Sequence, residues 1–219
     1  MTATMETIAP DQKPRAGRPT ASQAEARHNE LLDRALDMFL EKGFELTTME
    51  AVAAAVGMTK RTIYARYDDK AALFLAAVAR AIARTTTTDT DLEALEGSDL
   101  QSTLIAIART RIADLMTPDG LRLRRIINTE SYRFPQIFTL SYEQGAKPVI
   151  DFLADLLRRH NSAGAVCVDR PDMAANVFMS MVVGGPVRIL VSGNAMTSDE
   201  IEDWVSAAVA LFLGGIRPR

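Results

Sequence analysis

The chain has 219 residues, of which 47% are hydrophobic and 24% are charged, and its formal net charge is −3. This composition is ordinary for a globular protein. It excludes a disordered chain and a protein that binds nucleic acid through bulk positive charge. A single cysteine excludes an internal disulfide, and with only two histidines the chain has few ligands for a transition-metal site. The length accommodates one small and one larger domain.

The beginning of the chain contains a polar arm followed by a helix. Residues 1–20 carry three prolines and three basic residues, so we predict a flexible arm there. Because these residues lack an apolar segment, we expect no signal peptide. Residues 21–42 place apolar side chains at helical spacing on one face, and Gly43 is expected to end this helix.

Residues 47–70 contain two short helical patterns separated by a glycine. Thr47 and Glu50 have the spacing of a capping box, which predicts a helix start at Thr47. Gly57 is placed to end this helix, because glycine tolerates the left-handed backbone of a tight turn. Thr59 is predicted to cap the second helix, and Ile63 to point from it into a small core.

The second of these helices carries a basic, hydroxyl-rich and aromatic surface. Lys60, Arg61, Thr62 and Tyr64 lie on it, and no acidic residue accompanies them. A short helix of this kind fits the major groove of DNA, where such side chains form hydrogen bonds with base edges. The pattern therefore indicates a sequence-specific DNA-binding protein.

The segment from Gly17 to about Ala83 resembles the DNA-binding domain of the tetracycline-repressor (TetR) family. The shared pattern is two threonines, a glycine turn ending in Thr-Lys, a Thr-hydrophobe-Tyr run, an aromatic residue and a lysine before the next helix. Here these positions are Thr47, Thr48, Gly57, Met58, Thr59, Lys60, Thr62, Ile63, Tyr64, Tyr67 and Lys70. Arg61 departs from the pattern, because many members have a small residue there, and its charge could alter the preferred DNA sequence.

The resemblance implies which residues contact DNA. Contacts to the phosphate backbone are expected from Thr47, Thr48, Tyr64, Tyr67 and Lys70. The remaining DNA-facing residues are expected to be Thr59, Lys60, Arg61 and Thr62. The last three are the candidates for base edges, and Arg61 is suited to guanine. In the arm, Arg15 or Arg18 could enter a minor groove, although a disordered tail explains the same residues.

The rest of the chain also has helical periodicity. Residues 70–84 are predicted to form a helix that links two domains, and the threonine-rich residues 85–98 to form a loop. Further helices are predicted over residues 99–116, 118–130, 135–160, 171–191 and 198–213. The longest pattern, 135–160, is expected to kink or break near Gly145 and Pro148.

We therefore predict an all-α protein of about nine helices. Its parts are a flexible basic arm (1–20), a three-helix helix-turn-helix DNA-binding domain (21–84, including the linker helix 70–84) and a helical C-terminal domain (85–219). The TetR resemblance assigns ligand binding and dimerisation to the C-terminal domain.

In the C-terminal domain the resemblance implies a small-molecule pocket. Aromatic residues at helical spacing, together with methionines, predict adaptable apolar walls, and polar neighbours could orient a ligand. The candidate ligand-binding residues are Met116, Asn128, Tyr132, Phe138, Tyr142 and Met179. Ordinary core packing also explains each apolar member by itself. Arg122, Arg124 and Arg125 could meet an acidic ligand, but a solvated helix face also explains them.

A dimer interface made by the last two long helices is implied as well. Residues 171–191 are apolar nearly all round, so this helix must be buried on several sides. The candidate interface residues are Phe178, Val182, Ile201, Trp204, Val205, Ala208 and Phe212. Burial within a single chain is the alternative explanation. The apolar run 177–191 contains Gly184, Gly185, Pro186 and Arg188, which are expected to interrupt it, so we predict no membrane span.

The combined pattern predicts a cytoplasmic, ligand-responsive transcriptional regulator. It would bind a palindromic operator in double-stranded DNA as a homodimer, repress transcription, and be released by a small hydrophobic effector, with no cofactor or metal. An enzyme is a weaker alternative, because no catalytic or nucleotide-binding motif occurs. The other alternative is a helical interaction or ligand-binding protein that does not bind DNA. Loss of DNA binding on substitution of Lys60 and Tyr64 would separate the regulator from both.

Overall fold

The computed structural model describes residues 20–218, apart from the side chain of Asp89, and contains only helices and their connections in that part of the chain. The predicted arm therefore lies outside the described residues except for Thr20. The helices are α1 (Ala21–Leu46), α2 (Met49–Ala55), α3 (Lys60–Tyr64), α4 (Lys70–Arg84), α5 (Asp89–Ala94), α6 (Leu100–Met116), α7 (Pro118–Glu130), α8 (Pro135–Ser141), α9 (Lys147–Ser162), α10 (Pro171–Val191) and α11 (Ser198–Gly215).

The all-α fold class is confirmed. The described residues form two helices more than predicted, because α5 was not expected and the single pattern 135–160 forms both α8 and α9. Residues 85–98 were expected to form a loop, and this prediction is wrong. Thr88 and Asp91 form a reciprocal capping box, in which each side chain accepts the other residue's backbone N–H. Leu92 is buried in the core of the C-terminal half, so a single apolar contact fixes this otherwise polar helix.

The long pattern 135–160 is bent rather than broken. α8 and α9 are joined by a π-helical turn over Tyr142–Ala146, and Pro148 lies in the first turn of α9, where its missing N–H is not needed. Turns of this type are frequent at functional sites, because the inserted residue shifts the side chains that follow. The predicted kink near Gly145 and Pro148 is therefore confirmed as a π turn.

The N-terminal half is built by α1 to α4 around an aromatic cluster. Phe39 and Phe44 lie on either side of the bend in α1, where Gly43 adopts a positive φ of 81°. Both rings pack against Phe74 of α4, with ring centroids 4.9 and 5.4 Å away. Only glycine adopts this backbone conformation readily, so Gly43 allows the chain to turn Phe44 back into the core.

α7 and α8 belong to the same core as the N-terminal helices. Leu123, Ile126 and Ile137 are buried with the side chains of α1 and α4. Phe134, between α7 and α8, lies 4.9 Å from Phe44 and 5.2 Å from Phe74, measured between ring centroids. The packing of the N-terminal half therefore continues into part of the C-terminal half.

The second core is formed by α5, α6, α9, α10 and α11. α10 packs against α6, α9 and α11, and Phe178 at its centre contacts Phe212 of α11 at 4.9 Å between ring centroids. The largest buried members of this core include Leu104, Ile107, Ile112, Leu153 and Phe178. Burial of these side chains supplies most of the stability of the C-terminal half.

α10 is one uninterrupted helix over Pro171–Val191, as predicted, although Pro186 lies inside it. Proline cannot donate to the carbonyl four residues earlier, which is that of Val182. The indole Nε1–H of Trp204 donates to this carbonyl instead, at 3.0 Å. By length and composition α10 is also a helix that could cross a membrane, although a core helix of a soluble protein has the same character.

Candidate DNA interface and effector cavity

The short helix α3 presents its polar side chains to solvent. Thr59 caps it by accepting the backbone N–H of Thr62 at 3.2 Å, as predicted. Ile63 is fully buried and fixes the helix against the core. Lys60, Arg61 and Thr62 are exposed, and Tyr64 is 41% exposed. The residues predicted to face DNA on α3 are therefore accessible on one surface, and their contacts with DNA remain predictions.

The two adjacent cations of α3 have different surroundings. Lys60 forms an ion pair with Glu50 of α2, which raises the pKa of the Lys60 ammonium, and it lies 5.3 Å from the Tyr64 ring centroid. Arg61 makes no ion pair with any residue between 20 and 218. Glu50 was interpreted only as part of a capping box, so sequence reasoning missed this acidic neighbour of α3.

The N-cap of α2 lies one residue later than predicted. Thr48, not Thr47, is the N-cap, and it accepts the backbone N–H of Ala51 at 3.1 Å. Thr47 is fully buried, and its hydroxyl donates to the carbonyls of Met38 and Gly43. The prediction that Thr47 contacts a phosphate is therefore wrong, because its hydroxyl joins the end of α1 to the start of α2. Thr48 is exposed and remains a candidate.

Lys70 also has a structural role that was not predicted. Its ammonium donates to the carbonyls of Phe44 and Glu45, at 2.7 and 3.1 Å, and lies 4.4 Å from the centroid of the Phe44 ring. It therefore caps the end of α1. Two of its three N–H groups are used inside the protein, so its predicted phosphate contact rests on the third.

Tyr67 is half-buried and packs on His28 of α1. The two rings are stacked, with centroids 6.1 Å apart, and the Tyr67 hydroxyl lies 3.3 Å from His28 Nε2. On the other side of the imidazole, Arg66 Nη1 lies 2.7 Å from His28 Nδ1. Since guanidinium can only donate, Nδ1 must accept and the proton lies on Nε2. Burial, followed by the charge of Arg66, lowers the pKa of His28. Sequence analysis gave His28 no role.

A cavity of 370 Å³ lies between α4, α6, α7, the π turn and α10. Its volume is within the range of small-molecule sites. Phe138 and Tyr142 line it, as predicted, and Phe138 is 63% exposed at its mouth. Apolar side chains of four helices complete the wall, namely Ile82, Leu115, Leu123, Ile127 and Val183.

The other four predicted ligand residues do not line this cavity. Tyr132 is 97% exposed, and Asn128 lies on the outer face of α7. Met116 and Met179 pack in the adjacent core instead. The physical reason is that Met116, Asn128 and Met179 lie on three different helices and Tyr132 lies between α7 and α8. Spacing along the chain therefore does not bring these four residues to one face, which only the packing of the helices decides.

Two arginines and one aspartate supply the charge of the cavity. Arg111 Nη1 donates to Asp114 and to Thr87, at 3.1 and 2.9 Å. Arg124 lines the same cavity, and burial lowers the pKa of both guanidinium groups. The Nε of each is buried without a partner among the described residues. Burial also raises the pKa of Asp114 against the opposite effect of Arg111.

The basic cluster predicted on α7 is divided between two environments. Arg122 forms an ion pair with Asp37 of α1, and Arg125 is exposed. Arg124 points the other way and is mostly buried at the cavity. Arg122 and Arg125 therefore belong to a solvated helix face. Arg124 is the one arginine of the three that lines the cavity and stays a candidate contact for an acidic ligand.

A second, open groove of 660 Å³ runs along α10 and α11. It is lined mainly by apolar side chains, including Met173, Val177, Met181, Trp204 and Leu211. Val177 is 47% and Leu211 70% exposed. A contiguous exposed apolar surface of this kind is unusual on a monomer and marks an interaction site.

Most of the predicted dimer residues lie on the opposite face of these helices. Phe178, Val182, Val205 and Phe212 are buried within the chain's own core, and Ile201 packs against that core. Trp204 and the buried Ala208 do line the groove. α10 carries few polar residues, but Asn176, Ser180 and Arg188 recur at helical spacing and line the groove, so they mark the open face, a signal that the sequence analysis did not use.

Comparisons with known proteins cover both halves of the chain. Residues 31–77 match the family of bacterial regulatory proteins described as tetR, and residues 102–215 match the AefR-like transcriptional repressor C-terminal domain. The chain belongs to the TetR family of transcriptional regulators. The TetR assignment made from residues 47–70 is thereby confirmed, and the C-terminal match places this regulator in the AefR-like group.

Individual relatives agree with this assignment. The HTH-type transcriptional repressor Rv1474c of Mycobacterium tuberculosis is 27% identical over 168 residues, which are 77% of this regulator and 84% of the relative. The flavonoid-responsive regulator FrrA is 31% identical, with a TM-score of 0.69, and the match covers 89% of this chain and 99% of FrrA. A TetR-family regulator from Mesorhizobium loti MAFF303099 has a TM-score of 0.74 at 26% identity, covering 91% and 100% of the two chains.

The family determines the class of function. TetR-family proteins are transcriptional regulators rather than enzymes, and the alternative of a helical protein without DNA binding is not favoured. Members bind DNA operators, dimerise and bind small effectors.

Proposed function

We propose that this protein represses transcription as a homodimer, releasing its operator when a small molecule fills the cavity beside α4. The observation that supports this proposal is that α4 contacts both the DNA-binding half and the cavity. The start of α4 is held on α1 by Lys70, and the end of α4 contributes Ile82 and Thr85 to the cavity. A molecule in the cavity can therefore act on the position of the DNA-binding helices. The site of action, bacterial DNA, implies a cytoplasmic location.

Dimerisation is proposed through the groove along α10 and α11. α3 has five residues and can contact only a few base pairs. A two-fold axis would place two copies of it in successive major grooves, about 34–36 Å apart, and match a palindromic operator. Apolar exposure of Val177 and Leu211 gives the groove the character of a subunit interface.

The dimer proposal is tested by Leu211→Glu with Leu121→Glu as its control. Leu211 lies in the groove, whereas Leu121 is an exposed leucine on α7 outside it. Sedimentation equilibrium should find the Leu211 variant monomeric and the Leu121 variant dimeric. A Leu211 variant that remains dimeric would show that another surface forms the interface.

The DNA-binding proposal is tested by selection of genomic fragments with the purified protein at a fixed salt concentration, followed by sequencing. The expected product is a palindromic site, and loss of its recovery with a Tyr64→Ala variant would connect it to α3. Fragments without a common sequence, obtained with a folded dimer, would contradict sequence-specific repression.

Effector release is proposed to work by a shift between two arrangements of α4. In one arrangement the two α3 helices of the dimer have the spacing that fits the operator, and in the other they do not. A ligand that binds only the second arrangement increases its population and so lowers operator affinity. FrrA is a regulator that responds to flavonoids, which supports an effector with an apolar body. Fluorescence anisotropy of labelled operator would detect release directly.

A further inference from the structure

The charges inside the effector cavity do not balance. Within residues 20–218, Asp114 forms an ion pair with Arg111 alone. The Nη1 of Arg111 also donates to Thr87. Arg124 has no ion pair and no side-chain hydrogen bond within residues 20–218. After burial, the charge that lowers the pKa of Arg124 is that of Arg111, which is also positive. One positive charge in the cavity is therefore left without a counter-ion.

This unpaired charge cannot be removed by deprotonation. A buried lysine can become neutral, but guanidinium stays charged in proteins. Burial removes the hydration of Arg124, and the side chain faces Arg111 rather than an acid. A buried charge without a partner destabilises a fold unless an opposite charge is supplied. The cavity is thus built to hold a group with a single negative charge.

The geometry of the donors narrows the chemistry of that group. The Nε of Arg124 is closed off by the protein, whereas its terminal nitrogens Nη1 and Nη2 make no hydrogen bond within residues 20–218. These two terminal nitrogens match the two oxygens of a carboxylate in one plane. A phosphate monoester would bring a second negative charge, which this cavity does not balance.

The rest of the cavity is mostly apolar, with the hydroxyl side chains of Thr85, Ser141 and Ser180 among its lining residues, and it is open at one side. Leucine and isoleucine side chains of α4, α6 and α7 form its wall, and the exposed ring of Phe138 borders its mouth beside Tyr142. An anion held at the two arginines would extend its body along these side chains. The occupant must therefore combine one charged end with an apolar remainder.

We propose that the effector of this protein is an organic carboxylate with an apolar or aromatic body, bound through Arg124 with Arg111 beside it. The regulatory meaning of this site rests on the proposed function. α7 carries Arg124 in the cavity and, two residues earlier, Arg122 in an ion pair with Asp37 of α1. A carboxylate that attracts Arg124 would therefore shift α7, and the ion pair between Arg122 and Asp37 would pass this shift to α1 in the DNA-binding half.

The test uses pairs of probes that differ only in charge. Calorimetry would measure the binding of octanoate, decanoate and 2-naphthoate, each beside its primary amide. At least one carboxylate is expected to bind about tenfold or more tightly than its amide, because a hydrogen bond to a charged group is stronger than one between neutral groups. Equal or undetectable binding of carboxylate and amide in all three pairs would overturn the inference.

Two variants on the same helix locate the site. Arg124→Gln should abolish the preference for the carboxylate and leave binding of the amide unchanged. The matched control is Arg125→Gln, which makes the same change at an exposed neighbour. Without ligand, Arg124→Gln is also expected to raise the midpoint of thermal unfolding, because it removes an uncompensated buried charge. Retention of the carboxylate preference in Arg124→Gln would exclude Arg124 as the anion site.

Operator binding separates this inference from the proposed function. If the carboxylate binds through Arg124 but operator anisotropy is unchanged, the ligand class stands and the release mechanism fails. If neutral apolar compounds release the operator while no carboxylate binds, the release mechanism stands and the inference is overturned.

Discussion

The surface of α3 shows how neighbouring side chains acquire different roles. Lys60 is tied to Glu50 and lies beside the Tyr64 ring, so DNA has to compete with an existing ion pair for its charge. Arg61 is exposed and makes no ion pair within the described part of the chain. Its five N–H donors are available for a guanine edge, so we expect Arg61 to contribute more than Lys60 to sequence preference.

Arg61→Ala is expected to relax the sequence preference at one operator position and to weaken operator binding by about 1–3 kcal/mol. Titration of the selected operator and its single-base variants by fluorescence anisotropy measures both effects. Arg34→Ala, an exposed arginine of α1, serves as the control for the loss of positive charge. A uniform loss of affinity on every sequence would identify Arg61 as a phosphate contact instead.

His28 predicts a dependence of stability on pH. Burial and Arg66 make the pKa of His28 lower than the value near 6.5 of the unfolded chain. Below about pH 6.5 the unfolded state therefore binds more protons than the folded state. The contribution of His28 to stability is fully present above about pH 6.5 and is lost as the pH falls through the pKa of the folded state. Urea unfolding at several pH values between about 5 and 8 should show stability falling toward acid.

A variant without this imidazole tests the effect. His28→Gln should flatten the pH dependence of the free energy of unfolding in that interval. A wild-type stability that rises on acidification would contradict the assignment of a neutral His28 between Arg66 and Tyr67.

At the scale of an element, α10 continues through a proline, and a side chain of α11 completes its hydrogen bonding. Pro186 leaves the carbonyl of Val182 without a helical partner, and the indole of Trp204 donates to it. The ring can approach because Gly185 has no side chain, since a Cβ there would overlap the Trp204 ring atoms. Gly185, Pro186 and Trp204 therefore act together and fix the angle at which α10 and α11 meet.

Adjacent glycines allow a matched test of this contact. Gly185→Ala should destabilise the protein by about 1–3 kcal/mol, because the new methyl group overlaps the Trp204 ring. Gly184→Ala should be neutral or stabilise it by up to about 1 kcal/mol, because its Cβ would meet only the end of Arg188, at 3.7 Å, and alanine favours a helix. Thermal unfolding of both variants would decide, and equal midpoints would contradict the role given to Gly185.

For the whole molecule, α7 and the segment after it connect the cavity with the DNA-binding half. The cavity side of α7 carries Arg124, and its other side packs on α1 through Ile126. Arg84 at the end of α4 donates to Asp119 at the start of α7, at 2.8 Å. The segment ends with Phe134, whose ring completes the aromatic cluster of the N-terminal half.

Phe134→Ala is expected to lower the free energy of unfolding by about 2–4 kcal/mol and to reduce the effect of an effector on operator affinity. The reason is that this ring contacts both Phe44 and Phe74 across the boundary between the halves. Tyr132→Ala, two residues away and almost fully exposed, is the control. If effector and operator remain fully coupled in a folded Phe134→Ala protein, the coupling passes elsewhere.

The sequence by itself determined the features that depend on neighbours along the chain. Helical periodicity and end signals predicted the bounds of α4 and α7, the cap at Thr59 and the burial of Ile63. These signals are sufficient because the hydrogen bonds and caps of a helix join residues three or four positions apart. The same local pattern, compared with a known family, was enough to identify a TetR-family regulator.

Only the tertiary structure decided which face of each helix meets which neighbour. Thr47 and Thr48 differ in burial because the end of α1 covers one of them. Arg124 differs from Arg122 because the cavity and α1 lie on opposite sides of α7. In α10 the exposed residues Asn176, Ser180 and Arg188 recur at helical spacing on the open face, but which neighbour covers the other faces is decided by the tertiary packing. The physical reason is that burial and charge compensation depend on residues distant in the chain, whereas periodicity and capping do not.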